Sequence, residues 1–185
     1  MASLRERQRE RRRSDIMDAA WQLIGQKGLD TTSMEEIADR AEVGTATVYK
    51  YFGTKSELLK ALFVRYIEDE VARGEAVLRN PPESLVDGMS ALFEEYLSGM
   101  ASRCSALLMK EFYILAMSKQ LGYGRDTYQL KQRFMQQVLR LAEHYRSKGQ
   151  IADSVPASEA AVMCYSAVTV PFSLFALDMG CLLYT

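Results

Sequence analysis

Between Thr45 and Lys55 the chain sets out Thr45, Ala46, Thr47, Tyr49 and Lys50 as the outward residues of a short helix, with Lys55 following in the first turn of the next. Hydroxyls, a methyl, a phenol and an ammonium are groups that reach base edges and phosphates, and no bulky apolar side chain among them would hold a helix out of a major groove. Lys55 falls beside backbone N–H groups that no helical carbonyl serves, a place where a phosphate can be held. The chemistry these residues suit is recognition. Bond-making chemistry finds no comparable set. A nucleophilic Ser or Cys needs a base, and the sole histidine, His144, stands on a predicted helix next to Glu143, where adjacent residues do not face each other. Nothing spells a metal site, so neither an enzyme, a metal nor a cofactor is expected.

The elements that must position these residues are written in the same stretch. Thr32-Ser33-Met34-Glu35 reads as a capping box in which the Thr32 hydroxyl and Glu35 close the first turn of a helix carrying Ile37, Ala38 and Ala41 inward. Glu42-Val43-Gly44 turns the chain, and Thr45 is placed to cap a second short helix, Thr45 to Tyr51, whose inward pair is Val48 and Phe52. Gly53-Thr54 breaks it, and Thr54-Lys55-Ser56-Glu57 is a further capping box opening a long helix with Leu58, Leu59, Leu62 and Phe63 buried. Upstream, Ser14-Asp15 can cap a helix whose apolar positions Ile16, Ala19, Ala20, Leu23 and Ile24 follow helical spacing, with Gly28 as its stop. Two short helices joined by a tight turn are helix-turn-helix geometry.

The residues Ile37-Ala38, Val43, Thr47-Val48-Tyr49, Phe52, Lys55 and Leu58-Leu59 resemble the signature of the TetR family of transcriptional regulators, from about Ser14 to Leu62. The resemblance implies that Thr45, Ala46 and Tyr49 face bases, while Thr47, Lys50 and Lys55 lie at the backbone or groove edge. It also implies dimers that pair through their last two helices. The expected fold is all-α: an N-terminal three-helix helix-turn-helix DNA-binding domain over residues 14–60, then a C-terminal helical ligand-binding and dimerisation domain over residues 61–185.

Composition bounds the alternatives. With 185 residues, 48% hydrophobic and 25% charged, the chain can build one sizeable core and a small second domain. The net charge is −1, so global basicity cannot argue for nucleic acid; its distribution is more informative. Residues 1–13 hold Arg5, Arg7, Arg9, Arg11, Arg12 and Arg13 against Glu6 and Glu10, which is six minus two, a local +4. Such a run is expected as a disordered basic arm, either solvated or lying along phosphates or in a minor groove. No apolar run approaches the roughly eighteen residues of a membrane span, and no apolar segment follows the arginines as in a signal peptide, so a cytoplasmic protein is expected. Cys104, Cys164 and Cys181 read as reduced, mostly buried thiols.

Beyond the head, the helix from Lys55 is predicted to run to Asn80-Pro81-Pro82, with Pro82 in the first turn of a helix from Glu83 to about Met100. Helices over Ser102 to Ser118 and Asp126 to Ser147 follow, then Ala157 to about Leu177 after Pro156. The last is apolar nearly all round, so it is expected to be buried against its own domain and a second subunit. A partner helix is missing after Asp178, and the chain is expected to be truncated there. Tyr96, Met100, Met109, Phe112, Tyr113, Met117, Tyr128, Met135 and Tyr165 mix pliable thioethers with hydroxyl-bearing aromatics, a lining suited to an apolar, often aromatic ligand. The expected function is a dimeric repressor released from a palindromic operator by such a ligand. Two alternatives stand beside it: a DNA-binding regulator answering to a protein partner, and a ligand-binding protein with a vestigial head.

Overall fold

The computed structural model describes residues 3–103, 105–117 and 124–176, with side chains described except at 97–103, 116, 117, 124–131 and 171–176. Helices account for the regular structure of these residues: α1 (Leu4–Lys27), α2 (Met34–Arg40), α3 (Thr45–Phe52), α4 (Lys55–Arg79), α5 (Leu85–Arg103), α6 (Ala106–Met117), α7 (Gly124–Ser147) and α8 (Ala157–Ala176). The fold is all-α, as expected.

The first helix departs from expectation. It begins at Leu4, and its cap is Ser3, whose hydroxyl accepts the Glu6 N–H at 3.2 Å while the Glu6 carboxylate accepts the Ser3 N–H at 2.6 Å. The basic segment is therefore helix and not a disordered arm, and Ser14-Asp15 lies inside α1. Arg, Glu and Gln are good helix formers, an acid in the first turn suits the helix dipole, and the buried stripe of Ile16, Met17, Ala20 and Ile24 anchors the whole rod from its C-terminal half. Gly28 ends α1 at φ 87°, where its N–H reaches the Ile24 carbonyl.

Two cap assignments shift by one residue. Ser33, not Thr32, caps α2, and its box closes with Glu36. The Thr32 hydroxyl donates instead to the Gly28 carbonyl at 2.7 Å, so a capable cap residue is taken up by the preceding turn. In α3 the cap position is Gly44, which has no side chain to contribute, and Thr45 is already helical. Thr54 caps α4 as expected, accepting the Glu57 N–H at 3.1 Å. Pro82 stays outside α5, where the Ser84 hydroxyl accepts the Asp87 N–H at 3.1 Å ahead of a helix that starts at Leu85.

Two apolar clusters form. The first joins Ile16, Ile24, Ile37, Val48, Phe52, Leu58 and Leu62 of the head to Leu108, Met109, Phe112 and Leu115 of α6. The second joins Val71 of α4 to Leu92 and Phe93 of α5, Val138, Leu141 and Tyr145 of α7, and Ala157 and Ala161 of α8. Since α4 contributes to both, and Ile67 packs against both, one rigid rod connects the head to the rest.

Candidate nucleic-acid interface

The outward set on α3 exists because its inward pair is fully used. Val48 and Phe52 are buried at 0% and 7% exposure, which turns Ala46, Tyr49 and Lys50 to solvent and leaves Thr45 and Thr47 half-buried. Tyr49 is 46% exposed, a large aromatic with no place in the core. Gly53 at φ 70° lets the chain reverse directly from α3 into α4. Arg13 of α1 stands over the Phe52 ring, 5.5 Å from its centroid, and so ties the basic half of α1 to the end of α3.

Lys55 has another task than the one expected. Its Nζ donates to the carbonyls of Leu29 at 2.8 Å, Thr32 at 3.0 Å and Asp30 at 3.5 Å. These carbonyls belong to the loop between α1 and α2, whose backbone no helix serves, and the three N–H groups of one ammonium gather them. The side chain is a lock between loop and α4 rather than a cation held out for a phosphate.

Of the nine residues proposed for a ligand, those described divide between two groups. Met109, Phe112 and Tyr113 pack with the head core, where the Phe112 ring lies 5.7 Å from Trp21, 5.3 Å from Phe63 and 5.7 Å from Tyr66. An i, i+4 aromatic and thioether pattern on α6 cannot by itself distinguish packing against a head from lining a cavity. Tyr96 and Tyr165 belong to a separate group around Phe134 of α7, at 3.8 and 5.5 Å between ring centroids. Met135 is half-buried beside it on α7, while the side chains of Met100, Met117 and Tyr128 fall outside the described residues.

Around Tyr96 the interior is polar and tied. Its hydroxyl donates to Gln137 Oε1 at 2.5 Å, and Gln137 Nε2 donates to the Val71 carbonyl at 2.8 Å and to Glu75 at 3.0 Å. Burial, and then the Glu70 carboxylate, push the Tyr96 phenol well above its usual range, so it stays a donor at any physiological pH. The bond from Gln137, followed by Arg140, holds the Glu75 carboxyl below the usual range. Among the described residues no group of three His, Cys, Asp or Glu is assembled to hold a metal, and no helix is long and apolar enough to cross a membrane.

Comparison with known proteins bears on this head directly. The family described as bacterial regulatory proteins, tetR family, matches residues 16–62, which takes in α2, α3 and the start of α4. The head is that of a TetR-family regulator. The transcriptional repressor KstR of Rhodococcus jostii (strain RHA1) is 37% identical over 75 residues, 40% of this chain and 33% of KstR. The transcriptional activator FasR of Mycolicibacterium smegmatis is 32% identical over 76 residues, 41% of this chain and 35% of FasR. The chain thus spans about a third of the length of these curated relatives. The TetR fold continues beyond the head. FadR from Bacillus subtilis, solved in complex with stearoyl-CoA, superposes over 89% of this chain and 87% of its own at a TM-score of 0.73 and 17% identity. FadR from Thermus thermophilus, a TetR-family repressor in complex with lauroyl-CoA, superposes over 89% and 81% at 0.61 and 18%.

Proposed function

We propose that the chain is a transcriptional regulator that binds duplex DNA in the cytoplasm by laying α3 in a major groove, with Ala46 and Tyr49 toward bases and Thr47 and Lys50 toward the backbone. The observation that carries this reading is the exposed Tyr49 beside exposed Ala46 and Lys50, on a helix whose other face is consumed by Val48 and Phe52, within a TetR-family head. An exposed tyrosine with no packing role is a group waiting for a partner. The protein acts as a homodimer on two half-sites related by its two-fold axis. The exposed Val162, Met163 and Val170 of α8, at 53%, 69% and 58%, favour that helix as the contact.

The controlling ligand is apolar and sits near the Tyr96, Phe134 and Tyr165 aromatics, where half-buried Cys164 and Val168 pack beside them. Two fold neighbours were solved with stearoyl-CoA and lauroyl-CoA, which favours an acyl chain over a compact aromatic. Binding releases the operator because the ligand favours a dimer whose α3 helices no longer match one face of the duplex, with α4 as the lever. Selection of duplexes from a random pool by the purified protein, followed by gel shift with and without lauroyl-CoA or stearoyl-CoA, tests the reading. It is supported by enrichment of a palindrome that the acyl-CoA releases, and it fails if no sequence is enriched.

A further inference from the structure

Arg5, Arg9 and Arg12 recur at i, i+4 and i+7, one stripe along the first half of α1. Glu6 lies about 60° from Arg9, but its carboxylate is occupied by the Ser3 cap, and Glu10 lies about 100° or more from each of the three arginines. The arginine stripe faces α3. With Thr47, Lys50 and Tyr51 it lines a groove of about 530 Å³ whose described lining carries four cations and no carboxylate. Among the described residues none of these four cations is in an ion pair. Like charges gathered on a rigid frame repel one another, and a polyanion relieves that cost.

We propose that this groove clasps one strand of the DNA backbone beside the major groove that α3 enters, an inference that rests on the function proposed above. Duplex DNA is the occupant the charge favours, because the groove shares Thr47 and Lys50 with the face of α3 that reads the duplex. From Arg5 to Arg12 the helix rises about 10 Å. One strand sets a phosphate every 3.4 Å or so of duplex axis, so the stripe spans about three phosphates. Being helical and braced by Arg13 on Phe52, this segment does not thread a minor groove as an extended arm would; it is a fixed wall of the site.

The test is the salt dependence of binding to a mixed-sequence duplex by fluorescence anisotropy, which needs no knowledge of the operator. Combined Arg5→Ala, Arg9→Ala and Arg12→Ala substitutions are expected to flatten the log–log slope by about 2.7 per bound protomer, so the variant loses roughly 40-fold less affinity than the parent between 50 and 200 mM salt. Alanine keeps the helix, as circular dichroism will show, and the matching Arg→Lys set is expected to restore the slope. Arg7→Ala with Arg11→Ala removes charge from the opposite side of α1 and is expected to leave the slope near that of the parent. An equal loss per charge in both sets overturns the groove in favour of a diffuse field, and an unchanged slope in the first set overturns it outright. Stronger binding of single-stranded RNA than of duplex by the parent overturns the choice of occupant. A parent that binds no duplex at any salt refutes the function proposed above as well, which separates the two failures.

Discussion

The Nζ of Lys55 sits 2.8 Å from the Leu29 carbonyl oxygen and 3.0 Å from that of Thr32, so a side chain of α4 closes the loop that leaves α1. This fixes the start of the rod against the helix pair that presents α3. Charge-assisted hydrogen bonds contribute about 1.5–3 kcal/mol when well formed, and less here because the lysine is only half-buried. Lys55→Met is expected to lower stability by about 1–2 kcal/mol in urea denaturation while leaving the salt slope of DNA binding unchanged. Unaltered stability with a slope reduced by about one would return Lys55 to the phosphate role that its place in the chain suggests.

Gly88 of α5 packs on Tyr145 of α7, whose side chain is fully buried and whose hydroxyl donates to the Pro82 carbonyl at 2.8 Å. A Cβ at Gly88 would fall 2.6 Å from Tyr145 Cζ and nearer still to the hydroxyl, so the glycine is demanded by the approach of the two helices. Gly88→Ala is expected to cost about 1–3 kcal/mol, a fall in melting temperature of roughly 2–10 °C for a chain of this size. Removing the hydroxyl with Tyr145→Phe is expected to recover part of that loss in the double variant. Strict additivity of the two substitutions would show that α5 and α7 have room to separate.

Met163 is 69% exposed on α8, between Val162 and Val170, and touches no core. Met163→Glu therefore leaves the folded chain undisturbed, yet it desolvates a charge if α8 forms the dimer contact, at several kcal/mol. Sedimentation is expected to give a monomer with a normal helical spectrum. Val168 is the poorer probe, since it packs against the second cluster and an arginine there damages the fold as well. A dimeric Met163→Glu variant would move the interface off this helix.

How far the sequence could be read depended on whether a local pattern had one physical use or two. The cap at Thr54, the Gly28 and Gly53 stops and the inward Val48 and Phe52 follow from backbone groups that must be satisfied within a few residues, and α3 and α4 are legible on that basis. Thr32 and Ser33 both cap well, and only the Thr32 bond to Gly28, a feature of the preceding turn, selects between them. A charge run by itself suggests a disordered arm; the capping box at Ser3 and the i, i+4, i+7 arginines are the signals that this one is helix. Phe112 shows the opposite limit. Its ring lies on Trp21, far away in sequence, and no periodicity on α6 reports which neighbour fills the space.

Tyr49 carries the central claim, because its side chain is exposed and removing it leaves the core of Val48 and Phe52 intact. With the operator recovered by selection, the decisive measurement is the ratio of operator to mixed-sequence affinity for the parent and for Tyr49→Ala at one salt concentration. Base contacts are worth about 1–3 kcal/mol each, so the ratio is expected to fall roughly tenfold or more while mixed-sequence affinity stays within about threefold. A ratio that Tyr49→Ala leaves unchanged, in a variant that still folds and binds, would contradict the reading of α3 as the helix that recognises DNA.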